Sequence, residues 1–189
     1  ACPVASGRVD TKALSQRLEA HLRATLEPAD EAPHEAPWLQ LESLEYTLNR
    51  PLAAERGVPA QRVLDAAQAF LEAEPGIARV WSAAEIAAGA GPEPFARLYR
   101  NSFDHERSGD LALQTAPGCV FSPSAAGPSH GTPHLYDRAV PLVLLGPGIE
   151  KGVVRGRAAP VDIAPTLGPL LGVEVPAGLE GRALPLTGP

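Results

Sequence analysis

The 189 residues contain no methionine and only two cysteines. The missing methionine predicts a start that is processed or cut, so the chain is expected to be one piece of a longer protein. Two cysteines, Cys2 and Cys119, exclude a disulfide-dense scaffold, and neither has the C-x-x-C neighbour that would argue for redox chemistry. Their wide separation leaves pairing open, with two free thiols as the default reading. No apolar run approaches the roughly 20 residues needed to cross a bilayer. Residues 1–7 lack the charged start and apolar centre of a signal peptide, so any targeting segment is expected upstream. A basic stripe is lacking too. With a formal net charge of −6 and acids and bases interspersed, the composition argues against a nucleic-acid polymer or an anionic membrane as partner.

What is present suits one domain, or one large piece of one, with enough apolar residues to bury a core. Asp10 can cap a helix over residues 11–26, whose Leu14, Leu18, Leu22 and Leu26 form one apolar stripe. A loop rich in Pro and acid follows at 27–37, and then one or two short strands within 38–48. Pro59 suits the first residue of a second helix, with Val63, Leu64, Ala67, Phe70 and Leu71 on one face, stopping before Pro75. Residues 77–81 read as a strand, and Ser82 with Glu85 forms a capping box that starts a third helix, running to about Ala88. Together, 38–88 read as a compact α/β lobe. A breaker at 89–94 precedes a helical turn around 95–99. The apolar pieces 111–114 and 119–121 are expected to form a hairpin or one strand with a tight bend. Residues 122–129 must be irregular. The run 140–145, V-P-L-V-L-L, is apolar throughout, the pattern of a strand covered on both faces by helices. Asp162 can cap a last helix ending near Gly172, which Pro169 should kink or shorten.

Chemistry concentrates at residues 129–137, S-H-G-T-P-H-L-Y-D. His130 sits on a glycine-flanked turn ahead of an expected buried strand, where polar groups can be held at a sheet edge. His130 and His134 have the spacing of a helical zinc pair, but Gly131-Thr132-Pro133 forbids a regular helix between them. One imidazole alone holds zinc weakly, since three or four protein ligands are normal. Asp104 and His105 read as a solvated loop pair. Asp110 and Asp137 are each as suited to tying down a turn as to touching a ligand. His21 and His34 read as surface residues. No G-x-S-x-G elbow, phosphate loop or Cys with a nearby base supplies a nucleophile.

The order of segments carries a resemblance. R-S-G-D-L-A-L-Q-T-A-P-G at 107–118, S-H-G-T-P-H-L-Y-D-R-A-V-P-L-V-L-L-G-P-G-I at 129–149, V-D-I-A-P-T-L-G-P-L-L-G-V-E-V-P at 161–176 and L-E-G-R-A-L at 179–184 resemble the C-terminal part of the alkaline phosphatase superfamily. The look is closest to its type I phosphodiesterase and nucleotide pyrophosphatase branch and to single-chain bacterial alkaline phosphatases. The resemblance implies an α/β fold: the C-terminal part of a mixed sheet flanked by helices, with a small α/β lobe. Residues 1–100 would form the lobe or a cap-like segment, and 101–189 would carry the last metal-ligand motif with a final strand and helix. It further implies two zinc ions and a Thr or Ser nucleophile that forms a phospho-enzyme. His130 matches the last metal ligand of the family, the histidine of its H-G element.

The remaining ligands, the nucleophile and an Asp-His-Gly segment lie upstream in such proteins. The expected partners are therefore the missing N-terminal half of the same protein and a small phosphate-ester substrate, with the choice among monoester, diester, nucleotide, phosphonate and sulfate ester left open. The chain alone is expected to be catalytically silent. By family habit the compartment would be periplasmic or extracellular. Two other readings stand beside this one: a structural or interaction domain that kept the scaffold without the site, and a small enzyme working through His130, His134 and Asp137.

Overall fold

The computed structural model describes residues 1–28 and 34–186, so part of the expected loop at 27–37 lies outside the described residues. Two compact units emerge, Ala1–Arg138 and Ala139–Pro189.

In the first unit β1 (Arg8–Asp10) leads into α1 (Thr11–Leu26), where the Asp10 carboxylate accepts hydrogen bonds from the N–H groups of Lys12 and Ala13. The four leucines of the stripe are all buried. β2 (Leu39–Glu42) and β3 (Glu45–Leu48) form a hairpin. A short helix, α2 (Arg50–Glu55), follows behind an Asn49 cap, a signal the sequence reading passed over. α3 (Ala60–Glu72) buries Val63, Ala67 and Leu71, and β4 (Ile77–Ser82) runs into α4 (Ala83–Ala88) through the Ser82–Glu85 capping box. The Glu85 carboxyl is pushed up by burial, but hydrogen bonds from Ser82 and the Arg79 guanidinium outweigh this and hold it below its ordinary value. α5 (Phe95–Ser102) extends the expected turn.

β5 (Leu111–Thr115) is buried at every position because it is an inner strand of the antiparallel sheet β2-β3-β5-β4. The expected hairpin with the next apolar piece does not form. A turn at 116–119 does exist, with the Cys119 N–H donating to the Ala116 carbonyl at 3.1 Å. Beyond it β6 (Val120–Ser122) leaves the sheet and pairs in parallel with β1. Residues 111–122 therefore tie two sheets together rather than closing one. The free-thiol reading is also corrected: Cys2 and Cys119 form a disulfide across 117 residues. Leu14, Trp38, Tyr46, Leu71 and Leu113 make up the centre of the main core. A satellite of Trp81, Ile86, Ala96 and Ala112 sits under α5.

In the second unit, residues 140–145 form no strand. Val140, Val143 and Leu145 are 72, 82 and 98 % exposed, because an apolar run specifies burial only where another surface supplies it. A 3-10 turn (Pro160–Asp162) leads into α7 (Ile163–Leu171), which passes through Pro169 without stopping and ends on left-handed Gly172. The Asp162 side chain accepts from the N–H groups of Ala159 and Arg182, each at 2.9 Å. These bonds hold its carboxyl below the usual carboxylate range. Thr166 adds a hydrogen bond from its hydroxyl to the Asp162 carbonyl and accepts one from the Leu184 N–H. The two polar residues of D-I-A-P-T thus fasten the closing segment G-R-A-L to the start of the helix.

Candidate functional site

The turn that carries His130 is built by hydrogen bonds on both sides of it. Upstream, Arg8 of β1 reaches across to the irregular segment after β6, donating to the carbonyls of Ser124 at 3.1 Å and Gly127 at 2.5 Å. The Ser129 hydroxyl donates to the Phe121 carbonyl at 3.1 Å. Downstream, Asp137 accepts from both the N–H and the hydroxyl of Thr132, at 3.1 and 2.5 Å. Gly131 lies between these anchors at φ +94°, a left-handed backbone that favours glycine. α6 (Leu135–Arg138) closes the turn, and its Tyr136 hydroxyl accepts from the Gly118 N–H at 2.9 Å.

The two histidines of the turn have opposite surroundings. His134 is buried, and its Nε2 lies 2.8 Å from the Thr115 carbonyl. A carbonyl oxygen can only accept, so the ring carries its proton on Nε2. Phe95 meets that ring edge-on at 5.8 Å, and Tyr136 stacks on it at 5.3 Å. His130 is exposed, and among the described residues its ring has no hydrogen-bond or ion-pair partner. The expected trio is therefore not a constellation. His134 is a wedge under the turn, Asp137 is its brace, and only His130 has both ring nitrogens available.

Other candidates resolve into structural roles. Asp104 holds a local turn, accepting from the N–H of Glu106 and from Arg107, while His105 is exposed. Asp110 accepts from the Leu48 N–H and from the Arg50 guanidinium, tying β3 to β5. The surface reading of His34 is corrected: its side chain is tucked away, with Nε2 2.6 Å from a Glu27 oxygen that also accepts from Trp38 Nε1 at 2.7 Å. His21 stacks on Phe70 at 4.9 Å. The sequence reading missed Arg8, Ser129 and Thr132 as builders of the turn. Thr132 and Asp137 fall within one short stretch and could have been paired; Arg8 lies far upstream and left no local signal.

Two hollows of the first unit differ in size. The one under the turn, lined by Cys119, Ser129, Thr132, Tyr136 and Asp137 among others, encloses about 80 Å³, well short of the few hundred Å³ typical of ligand sites. A wider depression of about 510 Å³ lies at Glu72, Arg79, Glu93, Phe95 and Gln114. Its guanidinium is already committed to Glu85 at 2.9 Å and to the face of Trp81. Among the described residues no three His, Cys, Asp or Glu side chains gather closely enough to hold a metal.

No family model matches the chain. Among known proteins it is similar to the alkaline phosphatase PafA of Elizabethkingia meningoseptica, 30 % identical over 136 residues, which cover 72 % of this chain and 25 % of that protein. The alkaline phosphatase PhoK of a Sphingomonas species is 34 % identical over 136 residues, 66 % of this chain and 24 % of that one. A Myroides odoratus protein named calcium-transporting ATPase is 29 % identical over 180 residues, 95 % of this chain and 32 % of its own length. The crystal structure of wild-type PafA superposes with a TM-score of 0.75 at 25 % identity, over 91 % of this chain and 32 % of that structure. The chain belongs to the alkaline phosphatase superfamily. It spans about a quarter to a third of the length of the relatives it matches. Its mixed α/β architecture is part of the alkaline phosphatase fold.

Proposed function

We propose that this chain is the C-terminal part of a metal-dependent phosphoester hydrolase, in which His130 supplies one imidazole to a two-zinc centre whose other ligands and Thr or Ser nucleophile are encoded upstream. The observation that carries the reading is the contrast inside one turn: His134 is locked to the Thr115 carbonyl, whereas four residues earlier His130 has a free ring on a braced backbone. A metal ligand needs an unprotonated nitrogen and an orientation fixed in advance. The Arg8, Ser129 and Asp137 hydrogen bonds meet the second requirement at the backbone. In this reading His130 would help hold the metal, which would supply charge stabilisation to the phosphoryl transfer.

Two finer points belong to the same proposal. The names of PafA and PhoK favour phosphate esters of the alkaline phosphatase type over the phosphodiesterase and nucleotide pyrophosphatase branch. The Cys2–Cys119 disulfide favours an oxidising compartment, the periplasm or the exterior.

The test is hydrolysis of an aryl phosphate with and without zinc. The isolated 189-residue chain is expected to be silent, because one ligand cannot organise two metals, while the full-length protein is expected to turn over. Zinc-dependent hydrolysis by the isolated chain would refute the division of labour. An inert full-length protein would leave the scaffold reading in its place.

A further inference from the structure

The depression of about 510 Å³ in the first unit lies where the end of α3, β4, β5 and the segment entering α5 meet, and Glu72, Arg79, Pro92, Glu93, Phe95 and Gln114 line it. Gln114 decides its character. This side chain is only 7 % exposed, and its Oε1 accepts from Trp81 Nε1 at 3.0 Å. An indole N–H can only donate, so the amide must turn its oxygen to Trp81 and its NH2 group away from it. Among the described residues no acceptor reaches that nitrogen. Two donor protons of a side chain more than nine-tenths buried are therefore offered to the depression that the residue lines. A buried donor left unmet is costly and calls for a partner. Arg79 Nε is a second buried donor without a hydrogen-bond partner among the described residues.

The exposed polar residues of the lining are acceptors. Glu72 takes one hydrogen bond from Gln68 at 3.2 Å, and Glu93 has no partner among the described residues. We propose that this depression binds a neutral polyhydroxylated ring, a sugar or cyclic polyol, whose hydroxyls accept from the Gln114 amide and donate to Glu72 and Glu93 while its C–H face lies on Phe95. The choice follows from what each ligand class would leave unmet. A hydroxyl both donates and accepts, so one ring answers both sets of groups. A cation would suit the carboxylates but leave the Gln114 N–H groups bare and face the Arg79 guanidinium. An anion would suit the donors, yet Glu85 at 2.9 Å already offsets Arg79, and Glu72 and Glu93 would repel it. An apolar ligand would strip water from both sets and replace none of it. The volume falls within the range of small-molecule sites. None of these residues enters the hydrolase reading, and the proposal does not depend on it.

Ligand-observed NMR titration of the full-length protein with methyl β-glucoside, methyl β-galactoside and methyl α-mannoside tests this, with lysine amide and inorganic phosphate as the cationic and anionic controls. At least one hexoside is expected to bind saturably. Glu93→Ala alters an exposed side chain with no partner to lose among the described residues. It should weaken that binding at least about tenfold, the worth of one hydrogen bond to a charged group. Gln114→Glu keeps an oxygen for the Trp81 indole and removes the two donor protons, and should weaken binding by a similar factor while near-ultraviolet circular dichroism stays unchanged. Failure of all the hexosides to bind overturns the proposal. Hexoside binding that Glu93→Ala leaves unaltered puts the sugar elsewhere and overturns it equally. Lysine amide or phosphate binding that Glu93→Ala weakens, with the hexosides silent, makes the depression a charge site and overturns it too. Turnover is not part of the readout, so the result holds whether or not the full-length protein hydrolyses phosphate esters.

Discussion

Replacing the buried ring of His134 with alanine removes a donor to the Thr115 carbonyl and opens a gap between Phe95 and Tyr136. Among the described residues the buried Thr115 hydroxyl has no hydrogen-bond partner, so the loss falls where little can compensate. His134→Ala is expected to cost about 2–4 kcal/mol of stability, a lost buried hydrogen bond plus a cavity, read by denaturant unfolding. His130→Ala removes an exposed ring that holds nothing among the described residues, and should change stability by no more than about 0.5 kcal/mol. In the full-length protein it should lower phosphate-ester hydrolysis by at least about 100-fold, since even an outer partner of a metal ligand is worth 10–100-fold. Equal destabilisation by both substitutions would show that the turn has no free histidine. Glu27 gives a pH dependence. Burial raises its carboxyl, but hydrogen bonds from His34 and Trp38 outweigh this and hold it below its ordinary value. A depressed carboxyl contributes stability that is complete above the unfolded value of about 4.3 and is lost as pH falls through the lower folded value. Indole fluorescence in a Trp81→Phe background, which leaves Trp38 as reporter, should therefore shift only below about pH 4.3. The shift should be absent in Glu27→Gln.

Elements whose signals are local were legible. The leucine stripe of α1, its Asp10 cap and the Ser82–Glu85 capping box all concern residues two to four apart, and the structure realises each of them. What escaped was pairing over distance. The apolar pieces on either side of Ala116-Pro117-Gly118 look like partners to a local reading, yet β5 and β6 have different neighbours, β3 and β4 for one and β1 for the other. Nothing near Cys2 or Cys119 marks them as bonded to each other, because the bond depends on β1 lying beside β6. The same non-locality hid Arg8, which braces the His130 turn only because that parallel pair exists. The disulfide yields a prediction at this scale. It closes the N-terminal segment onto the start of β6, and a loop of this length restricts the unfolded chain strongly. Reduction, or Cys2→Ser, should cost about 2–5 kcal/mol, seen as a lower melting temperature. A melting curve unmoved by reductant would show that the two sulfurs are not joined in solution.

At the scale of the whole molecule, the residues that fold the first unit and the residue proposed for chemistry are separate sets. Its core is aliphatic and aromatic, built on Leu14, Leu22, Trp38, Leu71 and Leu113. Its polar ties run between β1 and the His130 turn, between β3 and β5, and along α1, and every one is made by hydrogen bonds or ion pairs within the chain. Among the described residues none of them is made by the His130 ring. Chelation of the full-length protein is therefore expected to abolish hydrolysis while leaving this unit folded, with the near-ultraviolet circular dichroism of buried Trp38 and Trp81 unchanged. Readdition of zinc should restore turnover without a refolding step. The opposite outcome, loss of the tryptophan signal on chelation, would mean that the ion is a structural staple of the kind that small metal-dependent domains require. The turn would then be organised by the metal, rather than by Arg8, Ser129 and Asp137 ahead of it.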